Sequence, residues 1–323
     1  MPNPNLTFSM VEQAAKLIAP YLTKTNLLQD NQLGLEHGCQ IFYKPEMLQT
    51  TGSFKIRGAI NKMLSLTSDE RTRGIICSSS GNHGKACAYL GKMLQARVIV
   101  VLPDDTPHAK AAGIQELGGE VIFGPRLYND RWNMVRTETE KNGYTIVHGY
   151  EDYLVMAGQG TIALEMLEEQ PDLNTIIVPV GGGGLISGIA VAAKALNPHI
   201  RIIGVQAKAS DAYVESFKAG HPVEVPCFES LADGIGCRRP GDNPYPIITE
   251  YVDEFIAVEE SDIKKATKLV AEHTKVIAEP TACVGVAAML SGQIITHKDE
   301  KIGFVLTSGN WDIDRLGQIY AEA

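Results

Sequence analysis

Four short segments of the sequence carry residues whose types and spacing could do chemistry, and the first of them contains Lys55. The segment TGSFKIRGA, residues 51–59, sets this lysine among Phe, Ile and glycine residues. A lysine near the start of a helix is most often a solvated surface residue. In a partly dehydrated pocket, however, burial disfavours the ammonium form and supplies a free amine that can condense with an aldehyde. Lys55 is therefore a candidate nucleophile whose assignment depends on the other three segments.

The second segment is CSSSGNHGK, residues 77–85, between a short apolar run at 74–77 and a helix-like stretch. A helix N-cap needs a single Ser or Asn, so this nest has more hydrogen-bond donors than a cap requires. The surplus suits a small anion such as a carboxylate. His83 is explained equally well by a structural role and by a supporting role in such a site.

The third segment is GGGGLISG, residues 181–188, directly after the apolar run TIIVPV. Glycine lets the backbone approach a phosphate, and the N-terminus of the following helix adds donors and partial positive charge. A tightly packed turn is the alternative, but it does not require four consecutive glycines. Ile186 stands where the dinucleotide fingerprint needs its last glycine, and no P-loop lysine follows. The segment therefore favours a single phosphate group over NAD or ATP.

The fourth segment is LTSGN, residues 306–310, after the apolar run IGFVL. Its hydroxyl groups could form a turn or contact the nitrogen of a bound ring. All four segments must be positioned by strands, because ligands of open α/β sheets bind where a strand ends and a helix begins. Apolar runs predict strands at Arg97–Leu102, Glu120–Phe123, Thr175–Val180, Ile200–Val205 and Ile302–Leu306.

Helices are predicted between these strands, which indicates parallel sheets covered by helices. Their predicted ranges are Ser9–Ala19, His83–Leu94, Ala109–Leu117, Asn129–Asn142, Gly158–Glu169 and Ser261–His273, with a further apolar helix ending at Leu196. Pro and Gly cluster at residues 236–246, which predicts an irregular loop. No internal repeat or low-complexity tail is visible.

Composition and charge restrict the class of protein. The chain has 323 residues, 44% of them hydrophobic and 21% charged, which is ordinary for a globular enzyme. A net charge of −9 without clustering argues against nucleic acid or an anionic membrane as partner. The six cysteines are scattered without a CxxC pair, and no secretory signal is visible. We therefore expect a cytoplasmic protein with reduced thiols.

Taken together, the four segments resemble the fold-type II enzymes that use pyridoxal 5'-phosphate (PLP), and more narrowly the serine/threonine dehydratase and serine racemase family. The resemblance covers nearly the whole chain and includes KPEMLQTTGSFKIRGA, SSSGNHGKACAYLGK, AGQGTIALE, VPVGGGGLISG, LADGIG, AEPTACVGVAA and LTSGN. It implies a two-lobed, tryptophan synthase β-like α/β fold and a homodimer. Residues 1–73 and 151–323 would form a large PLP-binding domain, and residues 74–150 a small substrate-capping domain.

The resemblance also implies a role for individual residues. Lys55 would hold the cofactor as a Schiff base and then act as general base at the substrate Cα. Ser80 aligns with a family serine that acts on the opposite face of Cα and permits racemisation as well as elimination. On the cofactor ring, Phe54 would pack against the face and Asn82 would contact the phenolic oxygen. Thr307 would contact the ring nitrogen, with Glu279 near the same end. The phosphate would be held by the backbone of Gly181, Gly182, Gly183, Gly184 and Leu185. The substrate carboxylate would lie among Ser79, Ser80, Gly81 and His83.

The implied reaction is the removal of water from a hydroxy-amino acid to give a 2-oxo acid and ammonia, with threonine and serine as default substrates. A hydroxyl partner such as Thr307 does not force a proton onto the ring nitrogen, which favours loss of a β-substituent. Serine racemase and 3-hydroxyaspartate dehydratase are the alternatives within the fold. A nucleotide-binding oxidoreductase leaves Lys55 and the serine nest unexplained, and intact Lys55, Ser80 and Asn82 disfavour a non-catalytic PLP-binding protein.

The chain departs from the family pattern where many members bind a divalent cation through a Glu, a backbone carbonyl and an Asp. In the segment GVQAKASDAY, Gln206 replaces the Glu and Ala212 the Asp, with Asp211 as a neighbour. A site without these carboxylates should bind Mg²⁺ or Ca²⁺ poorly, and Lys208 could supply positive charge instead. We therefore expect that the enzyme needs no divalent metal.

Two further departures concern the substrate. Gly149 and Tyr153 stand where relatives commonly have prolines, and Tyr153 could reshape the side-chain pocket. Arg238, in the loop GIGCRRPGDNPYP, could hold a second carboxylate and so favour 3-hydroxyaspartate, although an exposed basic loop is the simpler alternative. The chain ends soon after LTSGN, so we expect no C-terminal regulatory domain and no feedback inhibition through one.

Overall fold

Two mainly parallel sheets organise the chain in the computed structural model, which describes residues 6–79, 81–106 and 108–322. The larger sheet contains β1 (Leu28–Gln29), β2 (Gln40–Pro45), β7 (Thr175–Pro179), β8 (Arg201–Ala207), β9 (Glu254–Val258) and β10 (Lys301–Leu306). The smaller sheet contains β3 (Ile75–Ser78), β4 (Val98–Pro103), β5 (Glu120–Gly124) and β6 (Thr145–Ile146).

The strand order explains why the apolar runs are almost continuous. The larger sheet has the order β1-β2-β10-β7-β8-β9, and its neighbours are parallel except for the antiparallel pair β1 and β2. The smaller sheet has the order β5-β4-β3-β6 and is parallel throughout. Strands of such sheets are buried on both faces, and the strand β7 is buried at every residue. The predicted α/β class with parallel sheets is confirmed.

The predicted helices are present, and the structure contains further helices that were not predicted from the sequence, such as those at Asn31–His37, Ala212–Ala219 and Ile313–Glu322. The helices in the part of the chain that the structure describes are α1 (Phe8–Ile18), α2 (Asn31–His37), α3 (Lys55–Leu64), α4 (Ser68–Arg73), α5 (Asn82–Leu94), α6 (His108–Glu116), α7 (Tyr128–Asn142), α8 (Tyr153–Glu169), α9 (Gly184–Leu196), α10 (Ala212–Ala219), α11 (Pro244–Tyr251), α12 (Glu260–Thr274), α13 (Val284–Leu290) and α14 (Ile313–Glu322). None of them is long and apolar enough to cross a membrane.

Two predicted boundaries are wrong for identifiable reasons. Helix α8 begins at residue 153 and not at 158, because the Asp152 carboxylate accepts the backbone N–H groups of Leu154 (2.8 Å) and Val155 (3.3 Å) and caps the helix earlier. The loop predicted at 236–246 ends at Pro244, where α11 begins with proline in its first turn. The other predicted strands and helices agree with the structure to within two residues.

Helix α8 packs between α3, which carries Lys55, and α9, which follows the glycine loop. A Cβ atom added to Gly158 would lie 2.5 Å from the backbone oxygen of Arg57 and 2.7 Å from Cα of Gly58 on α3. A Cβ atom on Gly188 of α9 would lie 2.1 Å from the Met156 oxygen. Glycine is therefore required at both crossings, since only it allows the backbones to approach so closely. The AGQGTIALE segment thus sets the spacing between two of the four chemical segments.

Candidate active site

Lys55 lies at the first residue of α3, with its amine directed toward the small sheet. Its Nζ donates to the backbone oxygen of Gly149 at 3.0 Å, in the loop after β6. The Phe54 ring centroid is 5.0 Å from Nζ, and the Phe54 N–H donates to the Thr307 oxygen at 3.0 Å. Burial lowers the pKa of Lys55 to about 8, with a smaller opposing effect from the Cys237 thiol. Near neutral pH, this amine is more often uncharged than an ordinary lysine.

A buried and fully paired guanidinium fixes the first turn of α3. Arg57 donates through Nε and Nη2 to both oxygens of Glu46, at 2.7 and 2.8 Å. It also donates to both oxygens of Glu165, at 2.6 and 2.8 Å, and to Thr161 at 3.1 Å. Such bidentate pairs are geometrically specific. Arg57, two residues after Lys55, therefore anchors the helix that presents the amine.

The turn between β3 and α5 leads into the helix that places His83 near Lys55. The Gly81 N–H donates to the Ser79 hydroxyl at 3.3 Å, and α5 begins at the next residue. His83 is buried, and its Nε2 donates to the Val147 oxygen at 2.8 Å. Burial lowers the pKa of His83 to about 4, and the nearby Lys55 charge acts in the same direction. His83 is therefore neutral at physiological pH. The predicted catalytic Ser80 lies outside the described residues.

Gly149 lies between Lys55 and His83. A Cβ atom at Gly149 would be 3.5 Å from the His83 ring and 3.8 Å from Lys55 Nζ. The structure thus brings the predicted lysine and the predicted carboxylate pocket into contact with one backbone segment. The sequence singled out Gly149 only as a departure from the family proline.

Asn82 belongs to a hydrogen-bond network that includes the fourth segment. Its Nδ2 donates to Glu279 Oε1 at 3.3 Å, and its Oδ1 accepts from Asn310 Nδ2 at 2.8 Å. The Asn310 amide also donates to the Thr51 oxygen at 2.7 Å. These partners leave the second Asn82 N–H available for a ligand. Sequence reasoning missed Asn310, although it stands in the LTSGN segment.

Thr307 and Glu279, which the resemblance assigned to one end of the cofactor ring, lie close together in the structure. Both are buried, and Ser308 joins them: its hydroxyl lies 3.3 Å from Thr307 Oγ1 and donates to the Glu279 carboxylate. Burial raises the pKa of Glu279 to about 7, and the hydrogen bonds from Ser308 and Asn82 oppose this shift. The end of the site that would face a ring nitrogen therefore holds neutral hydroxyls and a carboxyl group that can be protonated near pH 7.

The glycine loop presents free backbone donors at the start of α9. Gly183 has a φ of +98°, and α9 begins at Gly184. Among the described residues, the N–H groups from Gly182 to Leu185 have no protein acceptor. This donor set, at the N-terminus of a 13-residue helix, fits a phosphate group.

Close packing also contributes to the glycine requirement of this loop. A Cβ atom at Gly182 would lie 2.5 Å from the Tyr150 ring, and one at Gly183 would lie 2.2 Å from Tyr213 Oη. The Tyr213 hydroxyl donates to the Gly182 oxygen at 3.1 Å. Tyr150 Oη in turn lies 2.6 Å from Tyr128 Oη. Tyr150 was not identified from the sequence, because nothing in its local pattern indicates contact with a loop 32 residues away.

The segment GVQAKASDAY, which departs from the family's cation-binding pattern, is held by hydrogen bonds within the protein. Gln206 is fully buried; its Oε1 accepts from the N–H groups of Tyr213 (2.8 Å) and Val214 (3.3 Å), and its Nε2 donates to the Val180 oxygen at 3.2 Å. Lys208 Nζ lies 2.7 Å from Asp211 Oδ2. The amide is thus committed to the protein, and the nearby carboxylate already has a cationic partner. These residues do not fit a divalent cation.

Arg238 and Tyr153, the two residues expected to shape the substrate side-chain pocket, have different surroundings in the structure. Arg238 is exposed and pairs with Glu224 at 3.1 Å, which is the simpler alternative considered for it. The Tyr153 hydroxyl donates to Asn243 Oδ1 at 3.4 Å and so connects α8 with the loop that holds Arg238. The Cys237 thiol is near enough to Lys55 for the amine charge to affect its pKa, which burial raises to about 11.

The buried lysine with a lowered pKa, the helix N-terminus with free donors and the asparagine held by its neighbours fit a PLP site of the fold-type II class. Comparison with known proteins agrees. The sequence model described as "Pyridoxal-phosphate dependent enzyme" matches residues 18–308. The chain belongs to this family.

Individual relatives are similar over almost the whole chain. L-threonine ammonia-lyase of Thermotoga maritima is 37% identical over 314 residues, which is 97% of this chain and 78% of the relative. Serine racemase of Oryza sativa subsp. indica is 37% identical over 310 residues, covering 95% and 91%. The crystal structure of serine racemase from Dictyostelium discoideum superposes with a TM-score of 0.89 at 35% identity and covers 95% and 99%.

Proposed function

We propose that this chain is a PLP-dependent ammonia-lyase that removes water from a small hydroxy-amino acid and releases a 2-oxo acid and ammonia. Threonine and serine are the proposed substrates. The observation that carries the proposal is the Lys55 amine. Its pKa is lowered to about 8, and it donates a hydrogen bond to the Gly149 oxygen in the loop beside His83. The names of the relatives from Thermotoga maritima and other bacteria support an ammonia-lyase.

When bound, PLP supplies the electron sink that makes loss of the Cα proton and the β-hydroxyl feasible. Lys55 Nζ would hold the cofactor, and its lowered pKa would let the free amine accept a proton near neutral pH. The free N–H groups at the start of α9 would hold the phosphate. Asn82, oriented by Asn310 and Glu279, would offer its remaining N–H to the phenolic oxygen.

The remaining protein groups orient the substrate and the ring. Ser79, Gly81 and His83 bind the substrate carboxylate through hydroxyl and backbone donors, with His83 neutral. Thr307 would serve as the hydroxyl partner of the ring nitrogen. We further propose residues 74–150, which hold the smaller sheet, as the substrate-capping domain, and residues 1–73 and 151–323 as the PLP-binding domain. A homodimer and a cytoplasmic location remain predictions.

Serine racemase is the second candidate, because relatives with that name are as similar as the ammonia-lyases. In the proposed roles, racemisation requires a group on the opposite face of Cα, and Ser80 is the candidate. The surface ion pair of Arg238 gives no support for a second carboxylate site, which weakens the proposal of 3-hydroxyaspartate as substrate.

One substrate panel separates these functions. The purified enzyme is incubated with L- and D-serine, L- and D-threonine and 3-hydroxyaspartate, and the 2-oxo acid and the inverted amino acid are measured together. The proposal predicts 2-oxo acid from L-threonine and L-serine as the main product. Lys55→Ala should abolish it, whereas Lys16→Ala, an exposed position on α1, should not. Predominant inversion of serine would favour the racemase, and no product from any substrate would contradict both.

A further inference from the structure

Cys77, His83 and Cys87 form a compact buried group beside the proposed substrate pocket, which we call the thiol–imidazole cluster. Cys77 lies on β3, and His83 and Cys87 lie one helical turn apart on α5 and therefore share one face. One ligand atom from each residue lies within 4.8 Å of the others. All three side chains are buried.

The donor types and spacing of the cluster suit a thiophilic cation. Zinc binds thiolate sulfur at about 2.3 Å and imidazole nitrogen at about 2.0–2.1 Å in a tetrahedron, which places neighbouring sulfur and nitrogen ligands about 3.6 Å apart. Cys87 Sγ lies 3.6 Å from His83 Nε2. The largest separation in the cluster is at most 4.8 Å. It exceeds the tetrahedral sulfur–sulfur distance of about 3.8 Å by about 1 Å, which a change of cysteine rotamer can close.

An oxygen atom that can serve as a fourth metal ligand lies beside His83. The Val147 carbonyl oxygen lies 2.8 Å from His83 Nε2, whose N–H it accepts in the metal-free protein. His83 Nδ1 is buried and has no hydrogen-bond partner in the described part of the chain. Transfer of the imidazole proton from Nε2 to Nδ1 frees Nε2 to bind a metal and leaves the carbonyl oxygen as a neighbouring ligand.

We infer that the thiol–imidazole cluster is a Zn²⁺ site with two cysteine ligands, one histidine ligand and one carbonyl ligand, and that its occupation inhibits the enzyme. Binding releases the two thiol protons, so the charge of Zn²⁺ is balanced by two thiolates and the buried site stays neutral. The alternative is that the thiols only pack as small apolar side chains in the core of the smaller sheet, to which both belong.

Inhibition follows from the position of His83, and this part rests on the proposed function. The His83 ring and Lys55 Nζ both lie within 4 Å of the same point beside Gly149. A metal on Nε2 replaces the hydrogen bond through which the Val147 oxygen orients the His83 ring beside the substrate carboxylate. We therefore expect Zn²⁺ to slow substrate turnover without removing the cofactor.

The test is a titration of the holoenzyme with Cd²⁺, which replaces Zn²⁺ at thiolate sites and gives an ultraviolet sulfur-to-metal absorption band. The expected result is one equivalent of Cd²⁺ per chain, displaced by Zn²⁺, with turnover falling in parallel and recovering when a chelator is added. Cys77→Ser and Cys87→Ser should each weaken binding by about 100-fold or more. Cys283→Ser, equally buried in the larger-sheet core, and Cys227→Ser, which is exposed, should bind like the wild type.

Each part of the inference can be overturned separately. Absence of the band in the wild type, or a band that persists in the double variant Cys77→Ser, Cys87→Ser, overturns the metal site. Inhibition by Zn²⁺ that persists when the band is lost overturns the inhibitory role. Cys87→Ala, which adds no buried hydroxyl, replaces Cys87→Ser if that variant does not fold. The band does not depend on turnover, so failure of the proposed lyase activity remains distinguishable.

Discussion

Gly158 lies where helix α8 crosses α3 closely, and its replacement by alanine tests how the fold positions Lys55. The added Cβ would lie 2.5 Å from the Arg57 oxygen and 2.7 Å from Gly58 Cα, whereas ordinary contacts begin at 3.4 Å. Both atoms belong to the backbone and cannot rotate away. Helix α3 must therefore move by roughly 1 Å, and this movement strains the hydrogen bonds of Arg57 in its first turn.

The expected cost has two parts. Overpacking of this kind destabilises a protein by about 1–3 kcal/mol. A displacement of about 1 Å at a reacting group can reduce turnover by about 100-fold. Because Lys55 opens the displaced helix, Gly158→Ala should lower both the midpoint of urea unfolding and kcat for 2-oxo acid formation.

A matched substitution separates this effect from a general effect of removing glycine. Gly317 lies on the exposed face of α14, and an added Cβ would meet nothing within 4 Å. Gly317→Ala should leave turnover unchanged and stabilise the protein by up to about 1 kcal/mol, since alanine favours the helix. Wild-type stability and turnover in Gly158→Ala would refute the argument that this crossing sets the position of α3.

Three further predictions concern the site. In the cofactor-free protein, the rate of acylation of Lys55 should rise with pH to a midpoint near 8, because about 10% of the amine is neutral at pH 7 compared with about 0.03% for an ordinary lysine; a midpoint near 10.5 would contradict the burial argument. Treatment with EDTA should leave turnover unchanged, since Gln206 and Lys208 do not fit a divalent cation; a loss restored by Mg²⁺ would show that a cation is needed. Asn310→Ala should weaken PLP binding by about 10-fold, because it removes one hydrogen bond that orients Asn82. An unchanged dissociation constant in equilibrium dialysis would exclude that role.

The sequence was sufficient to predict the elements that depend on local pattern. The apolar runs before the serine nest and before the glycine loop gave β3 and β7 to within two residues, because strands buried on both faces need such runs. Lys55 and the glycine loop were identified because their motifs are specific. The early start of α8 was missed because a single cap, Asp152, determines it.

The contacts that complete the site could not be predicted from local pattern. Asn310 reaches Asn82 across 228 residues of sequence, and Arg57 reaches Glu165 across 108. Such pairs depend on how the helices cross, which one sequence does not define. The direction of Arg238 is a similar case, because a loop residue can face the pocket or the solvent with equal local preference. The structure pairs it with Glu224 on the surface.

The central claim is that Lys55 holds PLP, and locating the covalent attachment tests it most directly. The purified holoenzyme is treated with borohydride, which makes a lysine–PLP linkage permanent, and is then digested and analysed by peptide mass spectrometry. We expect the added mass on the peptide that contains Lys55 and its absence in Lys55→Ala. Added mass on a different lysine of the wild-type protein, or on none, would show that Lys55 does not hold PLP.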